Sequence, residues 1–259
     1  MMKDKKAKLF VWAQPRSRST AALRCLSNRH DVKGFFEPYF YVAISGKPED
    51  RLHNHFIDSG IVDEDYNLTK QLVYNTIEER HKDHHVVVKE FAFTLNGDYT
   101  LIPNDASHVI LIRHPFASVS SSTKMAQEKM NIAFNKVEED QASGKLLSGN
   151  EALLDLYRYL KNTKKQVVVI DSNDLILKPG EVIQFMCSFS GLPYDSSMLM
   201  WTALPSGTFP QNWWTAKSLY QMIEHCSAFA DVGASQVLVH HLTIHIISLD
   251  WLQISKKPD

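Results

Sequence analysis

Cysteine is scarce in this chain. There are three, Cys25, Cys187 and Cys226, odd in number and far apart. They form no CxxC zinc pattern and no disulfide framework, so a reducing, cytoplasmic setting is expected. A surplus of one charge is also missing. Lys and Arg number 28 against 29 Asp and Glu. That balance argues against nucleic acid or another general polyanion as partner, while leaving room for a local basic pocket. No apolar run reads as a membrane span: the late stretch 237–252 carries His240, His241, His245 and Asp250. The start, MMKDKKAKLF, is basic but has no apolar centre of a signal peptide. Neither a membrane partner nor secretion is therefore expected. Internal repeats and low-complexity tracts are absent, and so is a GxxxxGK[ST] loop, which speaks against an ATPase, a GTPase or an ordinary kinase.

What is present alternates in type. Short apolar runs at 9–13, 34–36, 86–88, 109–112 and 167–170 read as strands covered on both faces. Helix-compatible stretches lie at 19–26, 67–81, 151–160 and 181–190, and another opens at Pro115. Gly191 and Pro193 stop the helix at 181–190. The polar stretch 138–150, with Gly144 and Gly149, reads as a surface loop. Strands alternating with helices predict an α/β fold of three layers, α/β/α, around a mostly parallel sheet. One domain is expected over 1–259, with its core at about 8–204 and an atypical segment at 205–259. Met198, Met200 and Trp201 read as core. Tyr39, Phe40 and Tyr41 either line an acceptor pocket or cover the sheet. The histidines His81, His84 and His85 read as a solvated loop, and no metal site is expected.

The stretch "KLFVWAQPRSRSTAALRCL" sets two arginines among small hydroxyl residues where a strand feeds a helix. In an open parallel sheet, ligands bind at the carboxyl ends of the strands. A helix start offers unpaired N–H groups and partial positive charge, which suit an anion. Ser17, Ser19 and Thr20 add hydroxyls; Arg16 and Arg18 add permanently charged forks. The bland alternative is a plain helix start with solvated arginines. A second constellation, "VILIRHPFASVSSSTKM", again puts an arginine, Arg113, at a strand end. Ser121 follows eight residues later on a helix. Together they can hold two sides of one phosphate group.

These two motifs, in this order, resemble the sulfotransferases that use 3′-phosphoadenosine-5′-phosphosulfate (PAPS), in their "PRSxST" branch. "FFEPYF" is similar to that branch's Glu-Pro element, and residues 167–201 are similar to its strand, proline-started helix and "CxxxGLPYD…MLxW" segment. The resemblance covers roughly residues 8–201. It implies a P-loop NTPase-like sulfotransferase fold, with Arg16, Ser17, Arg18, Ser19 and Thr20 at the 5′-phosphosulfate and Arg113 and Ser121 at the 3′-phosphate. It implies a small-molecule or carbohydrate acceptor, with a hydroxyl preferred to an amine, and PAPS as co-substrate. A homodimer is compatible with it. Two departures stand out. Arg18 replaces the usual glycine of the first turn, which is strained for a non-glycine residue if φ is positive there. The glycine-rich basic C-terminal segment has no counterpart beyond Trp213, Trp214 and Lys217.

Transfer to an alcohol needs a base. Many cytosolic relatives carry a histidine two residues after the lysine of the third strand; here Lys89 is followed by Glu90 and Phe91. Glu37, at a strand end beside the first turn, is the preferred base and Glu90 the alternative. Arg16 would stabilise the charge of the leaving phosphate. Two other functions stay open: a kinase-like transferase, with Asp171 as its best Mg²⁺ carboxylate, and a non-catalytic relative that binds a nucleotide or a partner.

Overall fold

The computed structural model describes residues 5–114, 128–145, 149–201 and 208–216. Its frame is one sheet of six strands. These are β1 (Lys8–Ala13), β2 (Val32–Phe36), β3 (His85–Phe91), β4 (Ser107–Ile112), β5 (Val167–Asp171) and β6 (Trp213–Trp214), in the spatial order β5-β4-β1-β3-β2-β6. All five pairings are parallel. The three central strands β1, β3 and β4 are buried along their whole length, as their apolar runs at 9–13, 86–88 and 109–112 require when helices cover both faces. Helices α1 (Ser19–Leu26) and α8 (Pro179–Ser190) pack together beside the short α7 (Ser172–Leu177). A separate group comprises α2 (Pro38–Ser45), α3 (His55–Asp58), α4 (Lys70–His81), α5 (Glu128–Ala142) and α6 (Gly149–Asn162). The expected three-layer α/β/α architecture is the one observed.

Three local expectations are corrected. Residues 138–142 continue α5 and 149–150 begin α6, and Gly144, at φ 76°, lies in the turn that ends α5. Met200 is exposed, whereas Met198 is fully buried. His85 is buried at the start of β3, where its Nδ1 accepts a bond of 2.8 Å from the Ala7 amide. An element that the sequence reading does not contain is the sixth strand, which Trp213 and Trp214 add beside β2. Gly34 admits that strand, because a Cβ there would lie 2.6 Å from the Trp213 ring.

The core also holds neutral imidazoles. His108 is fully buried in β4 and its Nδ1 accepts a bond of 3.1 Å from Trp12 Nε1. Burial pulls its pKa down to about 3, and that of buried His53 down to about 4. Both values lie below the ordinary 6.5 or so of an unfolded histidine. The unfolded chain therefore binds more protons, and stability is lost as pH falls below about 6.5 towards those folded values. Each group contributes a slope of up to about 1.4 kcal/mol per pH unit. His108→Asn keeps an acceptor for Trp12 but cannot titrate. Urea midpoints measured from pH 6.5 to 4 are expected to fall less steeply in that variant; identical slopes would contradict the assignment.

Candidate active site

The carboxyl ends of β1 and β4 meet at one rim. After β1 the chain bends through Gln14, where the Gln14 carbonyl accepts from both the Ser17 amide at 3.3 Å and the Ser17 hydroxyl at 2.8 Å. The Ser17 hydroxyl thus closes the turn from inside and is fully buried. Arg16 and Arg18 both sit in the left-handed region, at φ 65° and 64°. Such conformations are unfavourable for non-glycine residues and concentrate at functional sites. Arg18 is the N-cap of α1, and its own side chain does not cap that helix start. Its first turn, with Ser19 buried and Thr20 half-buried, presents amide donors and the positive end of the helix dipole.

Arg113 follows β4 directly. Its backbone amide donates to Gln14 Oε1 at 3.4 Å, and its guanidinium Nη1 donates to the Arg16 carbonyl at 2.7 Å. Two bends about a hundred residues apart in sequence are therefore locked together. Arg113 Nε is buried and has no hydrogen-bond partner among the described residues. The Arg18 side chain reaches across the end of β4 to the start of α7, donating to the Ser172 carbonyl at 3.3 Å and to Asn173 Oδ1 at 3.2 Å. Burial, then the nearby Arg113 charge, lowers the Arg18 pKa, and Asp171 opposes them. Asp171 itself accepts from the Asn173 amide as the cap of α7. Ser121 and Lys217 lie outside the described residues.

On the other side of β1, register sets a second group. Phe36 of β2 stands opposite Lys89 of β3, and the Glu37 amide donates to the Lys89 carbonyl at 2.8 Å. Glu37 then turns at φ 50° and becomes the N-cap of α2, with Pro38 in the first turn. Its carboxylate forms a buried ion pair with Lys89 Nζ, which also lies 3.6 Å from the centre of the Phe91 ring. Burial pushes the Glu37 carboxyl up and the Lys89 ammonium down, each opposed by the charge of the other. Glu90 faces the opposite side of β3, as strand alternation requires. One of its oxygens accepts from the Tyr39 and Phe40 amides at 2.6 and 3.2 Å, the other from Phe91 at 2.7 Å. It is fully buried, and burial pushes it up to about 8 against the pull of those amides. Tyr39, Phe40 and Tyr41 are buried in α2, which packs on β3. Of the two readings of these aromatics, they cover the sheet.

Lys89 as the partner of Glu37, and Glu90 as the clasp on α2, escape a linear reading. The available signal is the pair of charges closing an otherwise apolar strand, "HVVVKEF". Among the described residues no group of His, Cys, Asp or Glu is arranged to hold a metal. Nor is any described helix long and apolar enough to cross a membrane.

A family model described as a sulfotransferase domain matches residues 7–241. The chain belongs to that family. Among curated proteins, this sulfotransferase-domain chain is similar to two from Arabidopsis thaliana. Branched-chain-amino-acid aminotransferase-like protein 2 is 21% identical and protein 1 is 23% identical, each match covering 86% of this chain and 36% of the relative. The chain thus spans about a third of the length of the curated relatives it matches. Among solved structures, the sulfotransferase domain from the curacin biosynthetic pathway is 16% identical with a TM-score of 0.49, covering 98% of this chain and 99% of that one. The sulfotransferase domain of the Synechococcus PCC 7002 olefin synthase is 17% identical with a TM-score of 0.48, covering 98% and 96%.

Proposed function

We propose that this sulfotransferase domain moves a sulfuryl group from PAPS to a hydroxyl of a small molecule or carbohydrate, in preference to an amine, in the cytoplasm. The observation that carries the reading is the 2.7 Å bond from Arg113 to the Arg16 carbonyl, which joins two arginine-bearing strand ends into one anion-binding rim. The donor fits these residues: the α1 start is not capped by the side chain of its N-cap residue Arg18, and Arg113 Nε is buried without a partner among the described residues. Arg16, Ser19, Thr20 and the α1 amides hold the 5′ side, with Ser17 shaping their turn. Arg113, with Ser121, holds the 3′-phosphate. When bound, PAPS supplies an activated sulfuryl group on a phosphate leaving group.

Glu37 is the base that takes the proton of the acceptor hydroxyl. The charge of Lys89 favours the ionised form of Glu37 and opposes the burial that raises its carboxyl. Arg16 supplies permanent positive charge where negative charge develops. Glu90, with both oxygens on backbone amides, is assigned to holding α2 and β3 in place rather than to proton transfer. With arginines carrying the charge stabilisation, transfer needs no divalent cation. Incubation with ³⁵S-labelled PAPS and a panel of hydroxylated acceptors is expected to yield labelled product at the same rate with and without EDTA. Turnover that requires Mg²⁺ and a nucleoside triphosphate would favour the kinase-like reading instead.

A further inference from the structure

The end of β5 carries polar groups that the 5′ site does not use. Ile112 of β4 and Asp171 of β5 are register partners, so the next residues, Arg113 and Ser172, leave neighbouring strand ends together. Ser172 Oγ is fully buried and, like Arg113 Nε, has no hydrogen-bond partner among the described residues. Buried donors of this kind normally find an acceptor. The Arg18 guanidinium comes to the same place from β1, two strands away, and bonds the Ser172 carbonyl and Asn173 Oδ1. Those bonds are long, at 3.3 and 3.2 Å, and both acceptors are neutral. An anion would offer shorter, charge-assisted bonds. Two guanidinium groups share the spot, and the facing carboxylate of Asp171 is engaged in capping α7. Forks, a spare N–H and a hydroxyl, with the nearby neutral acceptors already bonded, are a donor set for a dianion.

We infer that Arg18, with Ser172 beneath it, completes the pocket of Arg113 for the donor's 3′-phosphate. The arginine standing at the glycine position of the first turn thereby serves the 3′ end of the nucleotide rather than the 5′ end. The inference rests on the PAPS reading above. It also gives Arg18 a reason to hold a strained backbone, at φ 64° at the head of α1.

The test compares two nucleotides that differ only in the 3′-phosphate, adenosine 3′,5′-bisphosphate and adenosine 5′-monophosphate, by calorimetry. Arg18→Gly suits the left-handed backbone and Ser172→Ala removes an unpaired hydroxyl, so both variants are expected to fold. Each is expected to weaken the bisphosphate, Arg18→Gly by about 10- to 100-fold and Ser172→Ala by less, while the monophosphate changes less than about 3-fold. Equal weakening of both nucleotides by Arg18→Gly would return Arg18 to the 5′ side and overturn the inference while sparing the PAPS reading. So would unchanged bisphosphate affinity in that variant. A wild-type protein that binds the two nucleotides equally, or binds neither, would overturn the PAPS reading and this inference with it.

Discussion

Glu37→Gln is expected to lower kcat by about 10²- to 10⁴-fold, the usual contribution of a positioned base, with donor affinity little changed. The amide keeps the size of the side chain and loses its ability to take a proton. The variant also leaves Lys89 buried without its counter-charge, and breaking such a pair costs about 3–5 kcal/mol where the remaining charge cannot relax. A loss of rate could then reflect a loss of folded protein. The double variant Glu37→Gln/Lys89→Met separates the two effects, because an apolar partner removes the orphaned charge. Stability is expected to recover in the double variant and activity is not. The pH profile carries the same information. Burial raises the Glu37 carboxyl and Lys89 opposes it. Because the base works only when ionised, kcat falls as pH drops through the Glu37 pKa in the wild type. That acid limb is expected to vanish from the residual rate of Glu37→Gln. A Glu37→Gln enzyme with wild-type kcat would remove Glu37 from the chemistry.

Much of the frame was legible because the central strands are short, apolar and buried on both faces, so composition alone marks them. The first turn was legible because Pro15 ends the apolar run and the hydroxyl residues open a helix. The failures have physical causes too. α2 is buried along all eight residues, so "PYFYVAIS" shows no polar face by which its helical period could be read. β6 is two residues long. It is held by the Asn212 side chain on the carbonyls of Ser27 and Val32 and by Trp213 on the Ser27 hydroxyl, contacts to residues some 180 positions earlier. At 138–150, polar composition and two glycines imitated a loop, although 138–142 continue α5, Gly144 lies in the turn that ends it and Gly149 starts α6. Within the site, Arg16, Arg113 and Glu37 could be named from strand ends. Their partners could not: the Glu37–Lys89 pair follows from β2–β3 register, and the reach of Arg18 to Ser172 follows from a sheet order that places β4 between β1 and β5.

The most direct measurement of the central claim is the affinity for adenosine 3′,5′-bisphosphate in wild type and Arg113→Ala. Removing a guanidinium from a phosphate costs one or two charge-assisted bonds of about 1.5–3 kcal/mol each. The variant is therefore expected to bind at least about 10-fold, and up to about 10⁴-fold, more weakly. Arg113 also ties the Arg16 carbonyl, so loosening of the first turn acts in the same direction. If the rim is the nucleotide site, wild-type protein binds the bisphosphate and Arg113→Ala loses that binding while remaining folded. Equal affinity in the two proteins would contradict the account.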